Sequence, residues 1–486
     1  MIAVSSLRSG SVCCQDTKLK SCNLATVNPD LLGSKTITLP GGASADFLNK
    51  VGDNPNAYHY GGDNADVIIT FNPGTGGMHG HAMLSSGESF TLEYCGDQGH
   101  VWKEIDVDNL GESKGVDFLT DMKEDTIRGE HDKLTEQAES DNVTMVTYSI
   151  KIYYTPQFAA ATPDIDGFID QVIAETNQGY ANSLVPLKVV KHCSELATIN
   201  DEDSAQTVLN NFTSMKGTYA ALRGSADAAA LLVNSFDLCG IAWTNVIKYG
   251  QTISTTKKSC AVGVYSFGHE IGHNIGMKHD PASSTNLAYP YGHGHLIAQG
   301  TASTGYRTIL AYNAPGHSQR VNYYSNPSVI YPPTGTPTGV EGLSNNAALL
   351  LLNRMSLSSI GDESTACEIP STAAPTTLST PAPTTPLTPA PTTPSTPAPT
   401  TPSTPASTTI LTAAPTAAPT SCTVNNSQPL LSEDIILQVP TEEDCKELCI
   451  GKMECDYWSW KNNSILTERI CKLYILKYRS LNNWFS

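Results

Sequence analysis

Residues 269–280 read His-Glu-Ile-Gly-His-Asn-Ile-Gly-Met-Lys-His-Asp. On an α-helix, residues four apart share a face, so His269 and His273 can present ring nitrogens to one ion, while Glu270 stands beside them without being forced to ligate. Gly276 permits a sharp turn that a Cβ would resist, which lets His279 swing back as a third ligand. Three protein ligands leave a fourth position for water, the mark of a catalytic zinc site as opposed to a closed structural one. Zinc lowers the pKa of that water to roughly 7, and Glu270 is placed to take its proton as general base. The chemistry implied is hydrolysis of a peptide bond without a covalent intermediate.

At average residue usage a bare His-Glu-x-x-His arises by accident in about one chain of this length in a hundred, and requiring Gly276 and His279 lowers that to about one in fifty thousand. A helix whose histidines are merely satisfied core residues is the weaker reading. The extended pattern resembles the signature of the metzincin zinc metalloproteases, and Asp280 after the third histidine makes it similar to the reprolysin or adamalysin branch. The resemblance covers residues 142–366. Residues 146–156, Val-Thr-Tyr-Ser-Ile-Lys-Ile-Tyr-Tyr-Thr-Pro, look like the opening strand of such domains, and Ile165, Phe168, Ile169, Val172 and Ile173 like the stripe of their first helix. Ala228–Asn234 and Cys239–Trp243 look like the strand and loop before the zinc helix. The resemblance implies an α/β (α+β) fold with a mixed, twisted sheet, a zinc helix beneath it and a cleft along an edge strand where substrate adds as a further strand. It also implies a structural, hydrogen-bonding role for Asp280.

One position departs from the family. Metzincins carry a methionine in a tight turn beneath the metal, and here Leu310 occupies that place within Gly305-Tyr-Arg-Thr-Ile-Leu-Ala-Tyr-Asn313. Leu and Met are similar in volume and both apolar, so the floor should survive at a cost below ~1.5 kcal/mol. Tyr312 stands at the spacing where some relatives place a tyrosine near zinc, which makes it a candidate aid to the oxyanion. Arg320–Pro327 resembles the segment lining the primed specificity pocket, although no residue in it names a substrate. His293 and His295 lie in a Gly-rich loop with no obvious carboxylate partner, so a second metal site is not expected there. The motif assigns zinc; calcium is a further candidate ion that no motif here assigns.

The composition defines the setting. With 486 residues the chain has room for several domains, and a formal charge of −18 argues against a nucleic-acid partner. It contains no run of 18 apolar residues that would predict a membrane span. Thirteen cysteines, with Asn-x-Ser/Thr triplets at Asn142, Asn211, Asn425 and Asn462, fit a secreted, extracellular glycoprotein. Residues 1–12 show no signal-peptide core, and the expectation is a start upstream of Met1.

Residues 1–141 are β-like, as in Ala65–Phe71 and Ser89–Tyr94, and end in a charged junction over 121–142. By position they resemble the propeptide of a secreted zymogen. Cys95 is then a candidate latency switch, offering a thiolate to zinc, with a structural disulfide as its alternative fate. Among Cys193, Cys239, Cys260 and Cys367 the expected pair is Cys239–Cys260, which would close the loop before the zinc helix. Residues 367–421 form a Pro/Thr-rich, mucin-like linker that cannot build a core. Residues 422–486, with five cysteines, resemble a disulfide-rich α+β PAN or apple module. That resemblance implies Cys445–Cys471 and Cys449–Cys455, leaves Cys422 without a mate, and suggests a glycan or extracellular-matrix ligand. The sequence therefore describes a secreted zinc metalloendopeptidase acting on protein or peptide substrates and tethered by its last module. The alternative is a catalytically decayed adhesion protein that uses only that module.

Overall fold

The computed structural model describes residues 3–5, 19–39, 42–106, 117–119, 144–244, 247, 250–285, 288–298, 305–362, 434–438, 457–463 and 468–474. They fall into two units, 1–368 and 369–486. The Pro/Thr-rich stretch 367–421, the junction 121–142, and Cys367, Cys422, Cys445, Cys449 and Cys455 lie outside the described residues.

The first unit opens with nine strands: β1 (Ala3–Ser5), β2 (Leu19–Thr26), β3 (Thr36–Thr38), β4 (Ser44–Lys50), β5 (Ala57–Gly61), β6 (Ala65–Asn72), β7 (Gly77–Leu84), β8 (Ser89–Tyr94) and β9 (His100–Ile105). They form one antiparallel sheet in the order β1-β2-β9-β8-β7-β6-β5-β4-β3. Strand side chains alternate between faces. Val67 and Ile69 of β6 accordingly join Tyr60, Leu92 and Trp102 in a core on one face, while Ile68 packs with Ala174 on the other.

A two-residue strand, β10 (Phe118–Leu119), then leads to a second sheet containing β11 (Val146–Tyr154), β12 (Leu187–Leu196), β13 (Ala228–Val233), β14 (Gly240–Trp243) and β15 (Ile253–Lys257). Its order is β10-β14-β15-β13-β11-β12, and every pairing is parallel except that of β14 with β15. The helices are α1 (Pro156–Ala161), α2 (Ile165–Asn182), α3 (Ala205–Ser214), α4 (Tyr219–Arg223), α5 (Lys258–Ala261), α6 (Ser266–Ile275) and α7 (Asn346–Leu357). Asp164 caps α2 by accepting from Gly167 N. Phe168, Ile169 and Val172 of its stripe meet Tyr148 and Ile150 of β11 and Phe267 and Ile271 of α6 in the main core. Each such side chain contributes roughly 1.5–3 kcal/mol by leaving water. Beyond α6 run the short strands β16 (Leu296–Ala298), β17 (Gly305–Arg307) and β18 (Gln319–Arg320), then the hairpin β19 (Ile330–Tyr331) with β20 (Thr336–Pro337).

The nine-stranded sheet is fastened to the second block by buried polar contacts. Glu93 of β8 is bound by Lys103 and by Lys258 of α5, the latter at 2.6 Å. Asp164 accepts from His79 at 3.2 Å, Asn72 at 2.7 Å and Thr75 at 3.0 Å. Gln171 of α2 receives the Thr70 hydroxyl and donates to Ile68 O. In the second unit, β21 (Asp434–Gln438), β22 (Tyr457–Asn463) and β23 (Glu468–Tyr474) form an antiparallel sheet in the order β21-β23-β22. No helix among the described residues is long and apolar enough to cross a membrane.

Candidate metal centre

The last turn of α6 builds the site. Gly276 sits in the left-handed region, with φ 103°, and Met277 N donates to Gly272 O at 3.0 Å, so the helix stops in a Schellman-type cap. That reversal returns His279 toward His269 and His273. His273 Nε2 lies 3.0 Å from His269 Nε2 and 3.1 Å from His279 Nε2. Their other sides are fixed from outside: His269 Nδ1 is 2.7 Å from Ile309 O, and His273 Nδ1 is 2.9 Å from Met277 O. Such outer contacts set the tautomer and leave Nε2 as the ligating atom. Burial lowers His269 to about 4 and His279 to about 3, so both imidazoles are neutral at pH 7, the form a metal requires.

Into this triangle projects a carboxylate from β10. Asp117 Oδ2 lies 3.3 Å from His269 Nε2, and Asp117 Oδ1 lies 3.4 Å from His273 Nε2 and 2.9 Å from His279 Nε2. Ligands held at 2.0–2.1 Å around a tetrahedral zinc stand about 3.3 Å apart, close to these separations. The donor set therefore fits zinc, with Asp117 at the apex that water would take. Burial by itself would raise the Asp117 carboxyl, but the His279, His269 and His273 imidazoles beside it hold it well below the usual carboxylate range. Its strand secures it: β10 runs parallel to β14, Ala242 N donates to Asp117 O at 3.0 Å, and Thr244 N donates to Leu119 O at 2.9 Å. Phe118 packs against the rings of His273 and His279, and Lys278 Nζ sits 3.6 Å from the Phe118 centroid.

Cys95 does not fill the latency role. It belongs to a disulfide and packs with Cys22, Leu24 and Val101 in the N-terminal sheet, so it has no thiolate to offer. The acidic side chain beside the three histidines is that of Asp117. Nothing in the local sequence Lys-Gly-Val-Asp-Phe-Leu marks it, because its role depends on pairing with β14. Cys239 and Cys260 are joined by a disulfide with Cα atoms 5.4 Å apart, closing the loop that carries β14 and β15 up to α5.

The remaining candidates gather around the triangle. Glu270 is buried on α6. A Cβ added at Gly240 would lie 2.3 Å from Glu270 Oε1, so β14 comes this close to the carboxylate only because residue 240 has no side chain. Sequence reasoning missed Gly240 for the same reason it missed Asp117. Leu310 is fully buried beneath α6, its methyl carbons 3.0 and 3.2 Å from where a Gly272 Cβ would stand. Tyr312 stacks on His279 with ring centroids 3.5 Å apart, and its backbone N donates to Asp280 Oδ2 at 3.2 Å. His293 Nδ1 lies 2.7 Å from His279 O, so it braces a ligand and is not one of a second metal pair. Asp117, Leu238, Cys239, Ser266, His269, Glu270, Tyr312 and Arg320 line one narrow cleft. Among the described residues, Asp117, His269, His273 and His279 are the one group arranged to hold a metal.

Comparison with known proteins agrees with this chemistry. A family model described as metallo-peptidase family M12 matches residues 144–325. A peptidyl-Asp metalloendopeptidase of Pseudomonas fragi is 32% identical over 157 residues, covering 32% of this chain and 85% of that one. One from Stenotrophomonas maltophilia (strain K279a) is 29% identical over 284 residues, 56% of this chain; the match spans 65% of the relative's own length. One from Xanthomonas campestris pv. campestris is 27% identical over 278 residues, 55% of this chain and 63% of that one.

Proposed function

This chain belongs to metallopeptidase family M12, and on that premise we propose that it is a zinc-dependent metalloendopeptidase of the reprolysin branch, held latent by its own N-terminal block. The observation that carries the reading is the convergence of the His269, His273 and His279 Nε2 atoms beside the buried carboxylate of Glu270. A zinc ion bound there supplies Lewis acidity, acidifying water and polarising the scissile carbonyl. Glu270 takes the proton of the attacking water at its carboxylate and delivers it to the leaving amine. Tyr312, stacked on His279, is placed to donate its phenolic O–H to the developing oxyanion. The hydrogen bond from Tyr312 N to Asp280 supports the structural role that the reprolysin resemblance gives that aspartate.

Latency follows from β10. Its pairing covers β14, the edge on which an extended substrate would otherwise add, and Asp117 blocks the apex of the ligand triangle. One short strand thus denies both the backbone and the metal to a substrate. The relatives are named for peptidyl-Asp specificity, and we extend a preference for acidic residues to this chain. Disulfide bonding of Cys22, Cys95, Cys193, Cys239 and Cys260 favours secretion. The three-stranded sheet of the second unit is compatible with a PAN/apple-like module that binds a glycan or matrix partner.

The test uses the full chain, with its N-terminal region nicked by limited trypsin, and measures zinc content and chelator-sensitive cleavage of a denatured protein beside Glu270→Ala. Both forms should bind about one zinc, with the variant slower by about 100-fold or more. If the zinc-loaded wild type cleaves no faster than the variant, the proposal is wrong.

A further inference from the structure

We propose that Arg320 determines substrate selectivity in this cleft, binding the acidic side chain of a residue next to the scissile bond. The inference rests on the metalloendopeptidase reading and deepens it by naming the group that recognises the substrate.

The strand placement comes first. β18 pairs in parallel with β17, matching Arg307 with Arg320, and Val321 N donates to Arg307 O at 2.9 Å. Alternation along this segment sends Val321 into a cluster with Met83, Ile297 and Tyr331 and turns Arg320 the other way, into the cleft shared with His269 and Glu270. One terminal nitrogen of the guanidinium is anchored: Nη1 donates to Val264 O at 2.8 Å and sits 3.4 Å from Ser266 Oγ. Arg320 is only 4% exposed, so its side chain is held and does not sweep through solvent.

Its chemistry decides the ligand class. A guanidinium is always charged and presents a planar fork of donors that matches a carboxylate. Away from bulk water, the attraction between such a pair is far stronger than on a surface, whereas a lysine or arginine of the substrate would be repelled. Of the side chains that could enter beside Arg320, an aspartate or glutamate is the one whose charge the site complements.

The test uses the zinc-loaded full chain nicked by limited trypsin, with matched peptides that carry a single Asp, Asn or Lys in an otherwise uncharged sequence. Cut sites are read by mass spectrometry. The wild type should cut at one fixed position relative to Asp and prefer the Asp peptide over its Asn counterpart. Arg320→Gln should reduce the Asp:Asn ratio of kcat/KM by roughly 100-fold, and Arg320→Lys, which keeps the charge but loses the fork, by roughly 10-fold. A wild type without acidic preference, or a Gln variant that keeps it, overturns the proposal. Should Arg320→Gln not fold, the Lys variant decides, because an unchanged ratio in it removes the fork from recognition. Failure of the wild type to cut any peptide would instead count against the metalloendopeptidase reading itself.

Discussion

Glu270, the proposed base, is held in place by a neighbour with no side chain. Gly240 leaves room for its carboxylate, and a methyl there would overlap Oε1 and Cδ at 2.3 and 2.5 Å. Gly240→Ala should therefore lower kcat/KM by roughly 100-fold or more while zinc content stays at the wild-type level. Near-wild-type kinetics in that variant would show that the carboxylate has freedom the packing denies it. Leu310 calls for the opposite expectation. It fills the floor beneath Gly272 completely, so Leu310→Met is a volume-conserving exchange that should change stability by less than ~1.5 kcal/mol and leave turnover within a few-fold. Thermal unfolding and peptide kinetics check both halves. The convergence of His269, His273 and His279 beside Glu270 was legible in the sequence because helical spacing and one glycine fix their relations locally. Asp117, Gly240 and the inward turn of Arg320 were not, because each depends on a strand partner far away in the chain.

At the scale of elements, the proposed latency rests on β10. Backbone hydrogen bonds from Ala242 and Thr244 hold it, and it brings the Asp117 carboxylate and the Phe118 ring to the ligand triangle. Asp117→Ala should leave the strand paired but open the apex. In the intact chain, a fluorescent peptide hydroxamate should then bind the zinc-loaded protein at least ~10-fold more tightly, about 1.4 kcal/mol. Equal hydroxamate affinity in wild type and variant would dismiss Asp117 as a plug. The helix α2 was predictable from its apolar stripe, and α6 from the spacing of His269 and His273 and the stop at Gly276. A two-residue strand carries no periodic signal at all, and the same is true of the parallel register that matches Phe118 with Ala242.

Across the first unit, the contacts between the nine-stranded sheet and the second block are tuned by protons. Burial would raise Glu93, yet Lys103 and Lys258 outweigh it and hold the carboxyl at about 2, below its ordinary 4.5. Asp164, against its own desolvation, is likewise held at about 2 by His79 and Asn72. Both folded values are depressed, so the stability they contribute is complete above about pH 4.5 and drains away as pH falls toward 2. Glu175 has the reverse sign: burial raises it to about 8, so its cost grows as pH climbs from 4.5 to 8. Glu93→Gln should destabilise the protein by about 3 kcal/mol at pH 7, since it leaves two buried lysines without their anion. That difference should shrink by pH 3, as followed by thermal unfolding; melting curves that stay parallel across the range would rule out the coupling. Acid should for the same reason loosen the N-terminal block and hasten its removal.

By itself, the sequence determined the cluster of three histidines and Glu270, because these residues and the turn at Gly276 lie within twelve residues and obey the geometry of one helix end. It also marked the opening strand, the first helix and the β-rich character of the N-terminal block, where period and composition are local properties. Only the tertiary structure decided what faces the metal. A disulfide engages Cys95, the pairing of β10 with β14 brings Asp117 to the apex, and alternation on β18 turns Arg320 into the cleft. Those outcomes depend on which distant strands share hydrogen bonds and in what register, a choice made by the packing of the whole unit and not by any short stretch of chain.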